Sequence, residues 1–362
     1  MPEIDRAAVN PEKSSPEQSR WKRRPAGSNW GDFGADDQLG RLNLLTREKL
    51  LEAIREVQEG RSFSLSLPLD YPGETKLNAR RHPPRLRPTA LAGEPFMNHT
   101  LSHLDARNTD VVCDDEVTLC LQYSTQWDSF AHVGSLFDAD DDGIAEKVYY
   151  NGYRAHEHVL GPGDAALDEH GCNDGRSQAL ALGIETFAVH GVQGRGVLVD
   201  LGAHLGQERV LVGYDALMRI FESDRIEVEP GDMLLLRTGF ADLVLGMQRQ
   251  PDSAVLHGSC AVLDGRDERL LQWIDESGVA ALCADNYAVE AYPARDAPGL
   301  RAALPLHEHC LFKLGIPLGE LWWLSELAGW LRAHGRSRFL LTAPPLRLPG
   351  AVGSPVTPIA TV

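Results

Sequence analysis

The chain has 362 residues, 43% of them apolar and 24% charged, a composition that belongs to a folded globular protein and excludes a largely disordered or fibrous one. Lys and Arg number 35 against 52 Asp and Glu, and the resulting charge of −17 repels phosphate backbones and anionic lipid, so neither nucleic acid nor membrane is expected as a partner. No stretch approaches the ~20 apolar residues that span a bilayer, and the first 25 residues lack the apolar centre of a secretion signal, so a cytoplasmic protein is expected.

Residues 1–27 read as a polar, mobile arm, because Pro, Glu, Lys and Ser leave little apolar surface to offset the entropy of ordering. The folded domain is expected over 28–342. Thr46 precedes apolar residues at helical spacing and can cap them, which predicts a helix ending before Gly60. Ser62 to Leu69 alternates polar and apolar residues, the period of a half-buried strand, with Pro68 at its end or at a sheet edge. Residues 72–110 form a long connection with little periodicity, a length that marks functional or mobile segments. Val117 to Tyr123 predicts a strand, and the apolar runs Gly194 to Leu201, Met233 to Gly239 and Val279 to Asp285 predict strands buried on both faces. Helices are expected at Tyr214 to Phe221, Asp267 to Glu276 and Leu318 to His334. Strands alternating with helices argue for an α/β fold. The tail 343–362 carries Pro344, Pro345, Pro349, Pro355 and Pro358, so it should be extended, docked on the surface or swapped onto a partner.

Six cysteines (Cys113, Cys120, Cys172, Cys260, Cys283, Cys310) form no C-x-x-C pair and read as free thiols. Asp138 to Gly143 opens like a calcium loop, but Tyr149 stands where a bidentate Glu is required, so a solvated acidic turn is expected. Gly191 to Gly196 has the spacing G-x-x-G-x-G ahead of a strand, which excludes a dinucleotide fingerprint.

The densest chemistry lies between Leu121 and His132, where Gln122, Gln126, Asp128 and His132 recur as groups able to coordinate or move protons. A second cluster joins His307 and His309 to Glu320. Each cluster alone reads equally well as hydrogen-bonding residues of a core.

Together with other landmarks they carry a resemblance. Asn29-Trp-Gly31, Asp37 to Leu45, Ser124-Thr-Gln-Trp-Asp128 with His132, Tyr150-Asn-Gly152, Pro230-Gly-Asp232, Arg237-Thr-Gly239, Asp285 to Glu290, His307, Gly319-Glu-Leu-Trp322 and Gly353-Ser-Pro355 stand in the order seen in the cyclase family of metal-dependent hydrolases. The sequence from Trp30 to Ile359 resembles that family, which includes bacterial kynurenine formamidase and isatin hydrolase. Its core motif is H-x-x-x-H-x-D-x-x-x-H. Asp128 and His132 match it, whereas Gln122 and Gln126 stand where two histidines are expected, so the chain looks like a distinct Thr-Gln-Trp-Asp branch.

The resemblance implies an α/β, swivelling β/β/α-like single domain with mixed sheets, working as a homodimer or homotetramer. It implies Gln122, Gln126, Asp128, His307 and Glu320 as metal ligands, with His309 competing for the place of His307, and His132 as the acid/base catalyst. Amide oxygens in place of imidazoles make manganese or magnesium the expected ion over zinc. The implied activity is hydrolysis of an amide, lactam or formamide C–N bond in a small cyclic or aromatic substrate. Lactone hydrolysis, or a cyclase or dehydratase reaction, would use the same site, and a non-catalytic binding protein that lost its His ligands is the reading from another class. Trp30, Trp127 and Phe130 are expected to line an apolar pocket, and Glu290 to touch the substrate.

Overall fold

Nine strands form one mixed sheet in the computed structural model, which describes residues 20–164 and 177–362. In chain order they are β1 (Ser62–Ser64), β2 (Gln126–Asp128), β3 (Gln193–Asp200), β4 (Met233–Arg237), β5 (Ala281–Ala284), β6 (Leu318–Glu320), β7 (Arg338–Thr342), β8 (Gly353–Pro355) and β9 (Ile359–Thr361). Across the sheet they run β1-β9-β7-β3-β4-β5-β6-β2-β8. The central strands β3 to β6 are parallel, and both flanks are antiparallel. This is a mixed α/β single domain.

The parallel centre follows from composition. β4 and β5 read MLLLR and ALCA, apolar without alternation, because helices cover both faces and nearly every residue is buried. The crossover helices Tyr214–Asp224 and Glu268–Ser277 return the chain over the sheet. Asp267 caps the second through the amides of Arg269 and Leu270, and Gly278 ends it at φ 69°, where a side chain would be strained. Thr46 caps Arg47–Ile54 by accepting from the Lys49 amide, at the predicted place.

Two expectations change around β2 and β6. The predicted helix over Leu318 to His334 splits into β6 and a helix at Ser325–Ala333. A side chain at Gly319 would meet Cys283 Sγ at 2.9 Å and Trp322 Nε1 at 2.8 Å, so close packing against β5 holds this short segment as a strand. Likewise the strand expected over Val117 to Tyr123 is an exposed one at Asp115–Thr118. Residues 119–125 then turn into β2, which the sequence reading missed.

The tail supplies β8 and β9, paired with β2 and with β1 and β7 of the same chain, so it gives no reason of its own to expect a swapped partner. Of the expected arm, residues 1–19 lie outside the described residues, as does Cys172. Residues 20–27 are docked: Trp21 meets Trp30 edge-on at 5.8 Å, and the Arg20 guanidinium lies 3.9 Å from the Tyr153 ring centre. The long connection carries exposed pairs of short strands, including Arg85–Pro88 with Asp115–Thr118. Among the described residues no helix is long and apolar enough to cross a membrane.

Candidate metal centre

Strand alternation turns Gln126 and Asp128 to one face of β2 and Trp127 to the other. The antiparallel register sets Glu320 opposite Gln126, so three polar side chains share a face. Behind them Trp127 is fully buried, donates to the Ala343 carbonyl at 2.8 Å and meets Trp322 edge-on at 5.0 Å. Trp322 donates in turn to the Gln126 carbonyl at 3.1 Å, which fixes the strand from the rear.

His307 approaches from a different element. It follows Pro305, a proline in the first turn of a short helix, and the free amides of Leu306 and His307 donate to the Glu290 carboxylate at 2.9 and 3.0 Å. The same carboxylate faces His307 Nδ1 at 2.8 Å, leaving Nε2 3.3 Å from Glu320 Oε1. His132 lies four residues beyond Asp128, held by its amide to Ser129, with Nε2 3.8 Å from Asp128 Oδ1.

The charges explain one another. Burial pushes the His307 imidazole down, but the hydrogen bonds and charges of Glu290 and Glu320 outweigh it and raise it to about 10. Glu320 rises to about 7 through burial and the Asp128 charge, opposed by His307. Burial also lowers His132, aided by the charges of His307, Arg81 and Arg80 and opposed by Asp128. Buried carboxylates thus demand positive charge here.

A divalent cation fits that demand. Asp128, His307 and Glu320 bring ligand atoms within 4.8 Å of one another. Gln126 Nε2 donates to Asp128 Oδ1 at 3.1 Å and Glu320 Oε2 at 3.2 Å, while Gln126 Oε1 and Asp128 Oδ2 are buried without a partner. An unmet buried polar atom costs about 1–3 kcal/mol, and a cation would relieve Asp128 Oδ2, with the Gln126 oxygen able to reach it if the amide turned over.

The sequence candidates divide around this centre. Gln126, Asp128, His307, Glu320 and His132 come together. The Gln122 amide packs against Gly353 of β8, the residue opposite Asp128 in the register. His309 points elsewhere, its Nε2 buried without a partner and its imidazole lowered to about 4 by burial and then by Lys313. The aromatic candidates are core rather than pocket wall. Trp30 is 1% exposed and donates to the Phe312 carbonyl at 2.8 Å, and Phe130, at 0% exposed, packs between Tyr150 and Phe187. Trp127 faces away from the site. Glu290 orients His307 instead of lining the cavity.

The cavity above the centre holds about 440 Å³, with His132, His307 and Glu320 at its base and Arg80, Arg81, Tyr123, Tyr287 and Tyr292 among its walls. These wall residues were missed, although the unpatterned length of 72–110 was the signal for the arginines. Asp138, Asp140 and Asp142 also bring carboxylates within 4.8 Å of one another, but Asp138 accepts the amides of Asp142 and Gly143 and closes a surface turn.

The Cyclase family model matches residues 63–291, and the chain belongs to that family. The crystal structure of a novel cyclase is 30% identical, covers 92% of this chain and 97% of its own, and superposes with a TM-score of 0.71. Isatin hydrolase A from Labrenzia aggregata, bound to benzyl benzoate, shares the fold at 13% identity and a TM-score of 0.52, over 83% of this chain and 93% of that one. Isatin hydrolase A from Ralstonia solanacearum does so at 15% identity and 0.50, over 83% and 91%. No protein of curated function matches the sequence.

Proposed function

We propose that this chain is a metal-dependent hydrolase that cleaves an amide, lactam or formamide C–N bond in a small cyclic or aromatic substrate. The observation that carries this reading is the meeting of Asp128 with His307 and Glu320, the latter two at the base of a cavity of about 440 Å³, with Asp128 Oδ2 buried and unpartnered. The fold shared with two isatin hydrolases supports it. Two carboxylates, one imidazole and an amide oxygen form an oxygen-rich donor set that favours manganese or magnesium over zinc. When bound, such an ion supplies Lewis acidity, polarising a carbonyl and acidifying water.

The protein's own groups complete the chemistry. Glu290 holds His307 through Nδ1 and frees Nε2 as a ligand. His132, lowered by burial and so neutral near pH 7, would take a proton at Nε2 from the water that adds to the carbonyl and give it to the nitrogen that leaves as the C–N bond breaks. Metal analysis of protein purified with manganese tests the reading. Close to one equivalent is expected, and an ion at ~100 times its Kd should add about 2.7 kcal/mol of stability. Less than about a tenth of an equivalent, with no rise in melting temperature on adding manganese, would overturn it.

A further inference from the structure

Two adjacent arginines, Arg80 and Arg81, line the cavity wall. Arg81 donates through Nη1 to the Gln122 carbonyl at 2.6 Å, a contact that uses one of its five N–H donors and anchors the guanidinium. Among the described residues neither Arg80 nor Arg81 forms an ion pair. Several arginines partly withdrawn from water are paired, Arg195 with Asp232 at 2.8 Å, Arg154 with Glu146 at 2.8 Å and Arg237 with Asp200 at 3.1 Å, whereas Arg266 is held by carbonyls alone. With 52 acidic residues against 35 basic ones, partners are plentiful. Arg81, half-buried beside the cavity, is thus held by a carbonyl contact, and the exposed Arg80 next to it adds a second positive charge.

The remaining lining sharpens the point. Glu74 is paired with Lys76 at 3.2 Å, and Glu320 belongs to the centre. What is left at the wall is positive charge, in a protein whose charge of −17 would otherwise repel an anion. Tyr123 and Tyr287 spend their hydroxyls on the carbonyls of Glu74 and Tyr292, at 2.8 and 3.4 Å, so they offer ring surface to an occupant. A planar carboxylate matches the guanidinium fork, and a single negative charge suits a site with two carboxylates at its base.

We propose that Arg80 and Arg81 bind a carboxylate of the substrate, so that the molecule is a small cyclic or aromatic carboxylic acid whose scissile carbonyl lies over Asp128, His307 and Glu320. The choice of scissile carbonyl rests on the hydrolase reading; the binding of the anion does not.

Calorimetric titration of the full chain with benzoate and with benzamide, its neutral counterpart of nearly the same shape, tests this. Benzoate should bind at least about tenfold more tightly, and Arg81→Met and Arg80→Met should each erode that preference while changing benzamide affinity less than about twofold. Asp128→Asn separates the arginines from the metal centre. If the arginines hold the anion, this variant keeps benzoate binding, because only a charge at the base has been removed. Equal affinity for the two ligands, undetectable benzoate binding at millimolar concentration, or unchanged benzoate affinity in both arginine variants would each overturn the proposal. Loss of benzoate binding in Asp128→Asn alone would also overturn it, by assigning the anion to the centre. Because no turnover is read, a failure of metal binding would sink the hydrolase reading and leave this result standing.

Discussion

The base and the wall of the cavity are built on opposite principles. At the base, Gln126, Asp128 and Glu320 sit on adjacent strands, and each residue of β2 and β6 is buried. Two tryptophans and Glu290 hold these strands and His307 from behind. Much of the wall comes from the connection that begins at Pro72, joined by Tyr123, Tyr287 and Tyr292, and the short strand that follows at Arg85–Pro88 is exposed throughout. Paired interior strands suit groups whose geometry must be fixed, whereas loops vary freely around them and carry selectivity. Variants at the base should therefore change chemistry or stability, and variants at the wall should change which ligand binds.

The largest expected effect is at His132. If it moves the proton, His132→Ala should lower turnover by about 10²- to 10⁴-fold while metal content and melting temperature hold. Loss of metal together with activity would instead make His132 a ligand, and full activity would remove it from the chemistry.

Packing behind the base comes next. Trp127→Ala should cost about 3–5 kcal/mol, since a fully buried indole and its hydrogen bond to Ala343 are lost and the site cannot collapse around them. Leu86→Ala, at a residue 71% exposed, should stay within ~0.5 kcal/mol. Chemical denaturation of both variants measures the contrast, and equal losses would show that the exposed strands are part of the cooperative core.

Glu290→Gln isolates the support given to His307. Its single amide oxygen can accept from only one of the Leu306 and His307 amides, which the two carboxylate oxygens accept separately, and it carries no charge to hold the imidazole, so metal affinity should fall by about 10- to 100-fold with some loss of stability as well. Competition with a chelator reads this directly, and an unchanged affinity would make Glu290 a helix cap and nothing more.

How much of this was legible in the sequence follows from the same contrast. β3, β4 and β5 were readable because apolar runs bounded by glycine have one reasonable home in an α/β fold. β2 and β6 were not, because three residues carry no period, and Leu318-Gly-Glu-Leu-Trp-Trp continues smoothly into a helical pattern. Asp128, His132, His307 and Glu320 were found through the order of landmarks, whereas the face each one shares was set by register. Trp30, Trp127 and Phe130 were assigned to a pocket on residue type alone. Tertiary packing put all three in the core, and spacing cannot report which side of a strand meets the cavity. Glu290 was singled out for the right region and the wrong task, since its partner lies 17 residues away on a separate helix. Between His307 and His309 only the fold decides, by turning one toward two carboxylates and the other toward Lys313.

The smallest expected effect uses the cysteines as reporters of the two regions. Cys260, Cys283 and Cys310 are buried in the core, and burial raises each thiol, Cys260 to about 11. Only the thiolate attacks an alkylating reagent, so these three should stay unmodified in the native protein at pH 7.5. Cys113 is exposed on the segment beyond the wall, where its sulfur accepts the Asn98 amide at 3.2 Å, and it should react readily. Mass spectrometry after brief treatment with iodoacetamide assigns the modified residues. Modification of Cys113 should leave both melting temperature and turnover unchanged, because no buried contact depends on it. Labelling of Cys283, which lies against Gly319 of β6, would mean instead that the strand carrying Glu320 opens readily. The base would then be no more rigid than the wall, and the division of labour between them would fail.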